Sequence, residues 1–546
     1  MSFKIRFILA ILVLGLFQSS FAQMGSVLRN DSGGGAFISD WIPANTSAGS
    51  SPANTVVLPL PPSGTYGFNV NWGDGTSGVV TNATLGNATH TYAAPGTYRI
   101  VITGQIEGWQ FANTGDRLKM VDVIQWGVLR NAGNDAFYGC SNLVVSAGDQ
   151  LNVDGVTDFS NQFRDCSSLT NLNTSSWDLS AGTNFSDQFN GCSALGNLAV
   201  GNWDLSSGTN FSGQFAGCSS FTFLDVSNWD LASGTDFSRQ FLGCSSISSL
   251  DVSLWDLGSG TDFSFQFTAC SSLPTLNVRN WDLSSGVNFR AHFSGCTNIN
   301  NLDVSLWNVS SGVDFTAQFS RCSSLTTLDV SGWNTSNATS MASQFDDCRV
   351  INGLDVSNWD VSNVQAFSAQ FANCRALSSL DVSNWNTSSG TTMIRQFTGC
   401  ISLTSLDVSG WVTGGVANFE AMFSNCTSLT TLSGVNNWDV TNGIVFELMF
   451  FNCFGLAGQL DVSGWNVINA AHMKDFMNGT NMTTAAYTQT LINWAPLLPI
   501  PPAPTTPRPN PGEVHFGNSQ YFAGTGTAPR NVIIGKGWTV TDGGPI

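Results

Sequence analysis

Thirteen cysteines stand at positions 140, 166, 192, 218, 244, 270, 296, 322, 348, 374, 400, 426 and 453, eleven intervals of 26 residues and a last one of 27. A fixed period of this length marks a chain built from stacked copies of one unit, each too small to bury its own apolar face. One copy reads "FSGQFAGCSSFTFLDVSNWDL" (residues 211–231). Counted from its cysteine, a phenylalanine lies seven residues before (Phe159, Phe185, Phe211, Phe237, with Met341 and Met393 as substitutes) and another three before, as at Phe319. Leucine or isoleucine follows at +3 and leucine at +6. Positions −7, −3 and 0 share a face at helical spacing, which predicts one short helical turn. Leu328-Asp329-Val330-Ser331 then alternates as a strand with one buried face does. Trp333 lies beyond a corner in a second short extended segment, and a Ser-Ser-Gly-Thr tract (207–209 with Ser206) turns the chain back.

The expected fold is therefore a repeat solenoid with about 13 rungs of 26 residues and parallel β strands. Identical residues then form columns, because the same buried niche recurs at every rung. The cysteine column, Cys192, Cys218, Cys244, Cys270, Cys296 and Cys322 among its members, is constrained by geometry. Parallel in-register side chains hold successive Cβ atoms near the strand spacing of about 4.7–4.9 Å, wider than the usual 3.5–4.5 Å of a disulfide. Buried reduced thiols are expected, cysteine being a small hydrophobe. Zinc is disfavoured because no Cys-x2-Cys pair occurs.

Residues 1–22 read as a secretory signal: basic Lys4 and Arg6, an apolar run from Phe7, and small residues before a cut near Ala22. The run is short for a membrane span, which needs about 20 residues, and no later run is apolar enough. The mature chain is thus expected to be secreted or at the cell surface, with no transmembrane segment. Net charge is −18, so nucleic acid and anionic membranes, which need basic surface, are poor partners.

The pattern FxxCxxLxxLDVSxW resembles the BspA-like leucine-rich-repeat surface proteins, the bacterial surface protein 26-residue repeat family. The resemblance covers residues 118–480 and implies a right-handed, leucine-rich-repeat-like solenoid, on the cell surface or secreted and adhesive. Phenylalanine often stands where that family has methionine. Residues 24–112, with Trp72-Gly73-Asp74-Gly75 and Tyr92 through Tyr98 in motif positions, resemble a PKD-type β-sandwich. Residues 481–546 resemble the cap closing such solenoids, with a proline-rich loop inside it.

Catalysis finds little support. The four histidines (90, 292, 472 and 515) form no metal-spaced pair, and His292 replaces the glutamine that Gln266 and Gln318 supply in neighbouring copies. No catalytic, cofactor-binding or metal residue is assigned, and no cofactor is expected. The candidate ligand-binding residues are Asp225, Asp251, Asp303, Asp329, Asp355, Asp381, Asp407 and Asp461, the outward position of each Leu-Asp-Val strand. Stacked carboxylates repel, so they serve either as a solvated stripe capped by neighbouring serines or as a negative face for a basic partner or calcium. Two functions are carried forward. One is an exported interaction protein, adhesin-like, that binds an extracellular protein or matrix ligand on the solenoid face. The other is a carbohydrate-binding or matrix-structural module using aromatic and Asn/Ser/Thr columns, which needs the tryptophans exposed.

Overall fold

The computed structural model describes residues 35–83, 86–502 and 512–546. Residues 1–22, where a secretory signal is expected, and most of the proline-rich stretch lie outside these residues.

The N-terminal part is a sheet of alternating sequence. Strand β3 (Thr65–Asn71) buries every second side chain, Tyr66, Phe68 and Val70, the period-2 pattern of a half-buried strand. It pairs antiparallel with β4 (Ser77–Val80) and β6 (Tyr98–Glu107), and β6 pairs with β1 (Phe37–Trp41). A separate pair joins β2 (Thr55–Val57) and β5 (Thr89–Thr91). Strand β7 (Met120–Gln125) pairs antiparallel with β1 and parallel with β9 (Val144–Val145), and β8 (Leu129–Arg130) adds to β6. The sheet therefore runs without a break into the first repeat. A buried ion pair pins this junction: Lys119 Nζ lies 3.0 Å from Asp116 Oδ1 with both side chains fully covered. Lys119 also donates to the carbonyls of Ser51, Pro52 and Thr55, while Asp116 accepts from Ser51 and Val57 backbone N–H groups, so neither charge is left without partners.

From residue 158 the chain becomes a repeat β-rich stack. Parallel bridges link Asp158, Asn184, Asn210, Asp236, Asp262, Asn288 and Asp314 in series, and the series continues to His472. The Leu-Asp-Val segments contribute mostly single bridges, such as Thr275 to Asn301 and Asn301 to Thr327. Only β10 (Ser405–Asp407) and β11 (Thr431–Ser433) form a full parallel ladder there.

The segment around each phenylalanine pair is not the helical turn that its spacing predicts. It is a run of turns with left-handed residues five and one before the cysteine, as at Asn161 (φ 55°) and Asp165 (φ 59°) before Cys166. Those residues break the helical hydrogen-bond pattern and aim alternate N–H groups at the next copy. Phe185, Asp187, Phe189 and Gly191 donate to Asn210, Ser212, Gln214 and Ala216 at 2.7–2.8 Å. Pairing between copies outcompetes a local helix.

The inward columns stack ring on ring. Phe189 and Phe215 are parallel at 5.7 Å, and Trp203 and Trp229 at 6.0 Å. The extra residue in the final cysteine interval falls at a 3-10 turn, Val435–Asn437, whose preceding Gly434 has φ 87°. A Cβ there would meet Ser409 backbone at 2.2 Å, so only glycine fits. At the C-terminal end α1 (Thr484–Leu497) packs Trp494 on Trp465 at 6.4 Å. Helix α2 (Ala523–Gly535) and the parallel pair β12 (Glu513–His515) and β13 (Thr539–Thr541) complete that end.

Candidate ligand-binding groove

The eight aspartates of the Leu-Asp-Val segments all point away from the core, between a buried leucine and a buried valine. Each caps the residue two further on. Ser227, Ser253, Ser305, Ser331, Ser357 and Ser383 donate their hydroxyls to the preceding Asp Oδ1 at 2.6–2.8 Å and their backbone N–H groups at 3.1–3.3 Å. Asp407 and Asp461 accept the N–H of Ser409 and Ser463 at 2.9 Å. The serine hydroxyl, then the backbone N–H, hold Asp251, Asp303, Asp355 and Asp407 below the usual carboxylate range, so they stay ionised. One oxygen of each carboxylate is thus used to shape the corner.

Asp303 differs from the rest: Arg279 Nη1 reaches its Oδ2 at 2.7 Å. The chain itself places a guanidinium on the second oxygen of this column.

Along four successive copies the column lines a groove of about 660 Å³, with Asp329, Asp355, Asp381 and Asp407 among its walls. At its centre Gly353 takes the place that Thr327 and Ser379 hold in adjacent copies. Its φ of 89° is a left-handed conformation that glycine adopts at no steric cost. Asp225, Asp251, Asp303 and Asp461 share the outward position but are not among the groove-lining residues. Among the described residues no group of three or more His, Cys, Asp or Glu side chains is arranged to hold a metal ion.

A family model described as "Mycoplasma protein of unknown function, DUF285" matches residues 132–255, 235–353, 261–379, 339–456 and 381–494 in overlapping windows. The chain belongs to this family. No curated protein matches it.

The tryptophan, phenylalanine and cysteine columns of the DUF285 repeats lie inside. Trp333 is buried, and its indole N–H donates to Val304 O at 3.3 Å; Trp281 and Trp307 reach Val252 and Val278 at 2.9 and 2.8 Å. Phe319 is fully covered, as are Cys192, Cys218, Cys244, Cys270, Cys296 and Cys322. All thirteen cysteines are free thiols. Cys192 donates to Phe163 O at 3.0 Å and Cys322 to Phe293 O at 3.2 Å, so each sulfur ties one copy to its predecessor. Burial pushes these thiols up, Cys244 and Cys296 to about 12, far from the thiolate form that reacts. Thiol titration of the native protein should therefore find almost no reactive groups, and denaturation should release thirteen. Several rung-to-rung disulfides in non-reducing mass spectrometry would contradict the buried free thiols.

Two features of the DUF285 repeats escaped the reading of the sequence. A second acidic column follows the tryptophans, at Asp178, Asp204, Asp230, Asp256 and Asp282, and it caps the same way: Ser206 Oγ donates to Asp204 Oδ1 at 2.6 Å. Its signal was present, since an Asp or Asn two residues before Ser is the side-chain cap pattern. The second feature is a buried amide ladder. Gln188, Gln214, Gln240 and Gln266 each donate to the preceding glutamine at 3.1–3.4 Å, and His292 Nε2 meets Gln266 Oε1 at 2.9 Å.

Proposed function

We propose that this chain is an exported bacterial interaction protein, adhesin-like, that engages a basic extracellular protein or matrix ligand along its acidic face. In this reading residues 1–22 are a signal peptide, the repeats form a right-handed BspA-like solenoid of about 13 rungs, and the N-terminal sheet is PKD-like. The observation that carries the reading is the groove. It presents Asp329, Asp355, Asp381 and Asp407 side by side, and one copy away an arginine already occupies the same carboxylate column at Asp303. A partner carrying spaced arginines or lysines would repeat the Arg279 contact at several copies, with affinity built from weak, additive contacts. The carbohydrate-binding alternative through exposed aromatic columns is disfavoured, because the tryptophans of the repeats are buried with most indole N–H groups already bonded.

An oligo-lysine peptide serves as the probe. It should bind the full-length protein, and its affinity should fall as salt rises, since exposed charges are screened within about 8 Å at physiological ionic strength. Changing Asp329, Asp355, Asp381 and Asp407 together to Asn should reduce binding at least tenfold with the circular dichroism spectrum unchanged. Single changes should do little. Salt-independent binding, or a fourfold variant that binds as well as the wild type, would sink the proposal.

A further inference from the structure

We propose that a second, unrelated cavity, at the junction of the N-terminal sheet and the first repeat, is a binding site for a neutral saccharide. The cavity holds about 380 Å³ and lies between the start of β3, the end of β6 and the turn after β8. That size falls within the roughly 300–1,000 Å³ of small-molecule sites, and junctions between structural units are a preferred place for them.

Its chemistry is specific. The lining residues include Ser63, Thr65, Gln110, Asn131 and Asn134, with Glu107 the one charged residue and Trp109 beside it. No lysine or arginine is among the lining residues, so a phosphate, sulfate or uronate would meet Glu107 with nothing to offset its charge. A hydrocarbon would strip water from the amides without replacing its hydrogen bonds. Each side-chain amide carries both donor and acceptor atoms, and so does each sugar hydroxyl. A ring bearing several uncharged hydroxyls satisfies such a wall where a charged or an apolar ligand does not.

The wall is also held in place. Tyr66 Oη donates to Pro61 O at 2.8 Å and fixes the turn before β3. Gly108 N donates to Arg130 O at 3.0 Å, binding the end of β6 to β8. Gln105 Nε2 donates to Glu107 Oε1 at 3.1 Å, and Gln110 Nε2 reaches Asn134 O at 3.5 Å. A Cβ at Gly108 would come within 3.2 Å of Gly64 Cα, so the two glycines allow the close approach from which the cavity is built. Trp109 is 1% exposed and packs edge-on to Phe37 at 5.1 Å, so the core fixes its place beside the cavity.

The test is calorimetric titration of the full-length protein with free galactose, mannose and N-acetylglucosamine, each to millimolar excess. At least one should give a saturable isotherm. Asn134→Ala, at an exposed side chain, should weaken that binding about tenfold. The fourfold groove variant should bind the sugar as the wild type does, so this site and the acidic face fail or stand separately. The proposal is overturned if no sugar binds, if Asn134→Ala leaves sugar binding intact, or if an N-acetylated, C-amidated Ala-Ser-Ala peptide binds where the sugars do not.

Discussion

Replacing Phe319 with alanine should lower the stability of the protein by about 3–5 kcal/mol, the range for a fully buried phenylalanine cut to alanine. Phe319 is completely covered. Its ring lies parallel to Phe293 at 5.9 Å and nearly parallel to Phe345 at 5.7 Å, and it also meets Trp333 at 6.2 Å. Its backbone is bonded in both directions, with N–H to Gln344 O at 2.9 Å and its carbonyl accepting the Cys348 thiol at 3.1 Å. Those bonds hold the neighbours in place, so the space left by the ring cannot close by collapse. An exposed substitution such as Ser259→Ala should change stability by less than about 0.5 kcal/mol. Chemical denaturation compares the two, and equal losses would refute the role assigned to the phenylalanine column.

The second large effect is an acid sensitivity seated in one side chain. His292 occupies a glutamine position in the buried amide ladder, and burial pushes its pKa down to about 3. In the unfolded chain a histidine titrates near 6.5. Between these values the unfolded state binds a proton that the folded state refuses, so stability is full above pH 6.5 and is lost as pH falls towards 3. The loss is about 1.4 kcal/mol for each pH unit within that window. His292→Gln removes the titration and restores the residue found in adjacent copies. It also addresses two buried atoms that have no partner, His292 Nδ1 and Gln318 Nε2. Urea denaturation at pH 7.5, 6.5 and 5 should show the variant gaining on the wild type by about 2 kcal/mol from pH 6.5 to 5. Parallel pH profiles would show that the imidazole is not excluding its proton.

The residue period made much of this architecture legible before any coordinates. Phenylalanine, cysteine, leucine and tryptophan recur at one phase, and a recurring apolar residue needs a recurring buried niche. What the pattern could not carry was backbone conformation. The turn preceding each cysteine places Asn161, Asp165, Arg239 and Phe265 at positive φ, and arginine and phenylalanine give no local hint of that. The conformation is imposed by hydrogen bonds to the following copy, which local spacing does not register. The groove was half legible. Its aspartates stood out as a column, but its extent depends on Gly353 and on which copies flank it. The junction cavity had no repeating signal at all, since Ser63, Glu107 and Asn134 meet only once the sheet has joined the stack.

The sameness of the interior copies raises a problem of alignment. Cys218 meets nearly the same surroundings as Cys244 or Cys270, so a folding chain that loops out one copy and pairs its neighbours loses few native contacts. Such slipped states are near-degenerate traps, of the kind that repeat chains are prone to enter. The two ends are where the ambiguity is removed. Trp126 meets Phe137 edge-on at 5.5 Å, whereas the ring pair that follows, Phe137 and Phe163, is stacked parallel. At the other end Trp494 follows Trp465 from a helix rather than from another copy. Between them His292, Gly353 and the added residue beside Gly434 each sit in one copy alone. These departures act as addresses: each matches a single neighbour, and together they tell an otherwise uniform chain which copy it is holding.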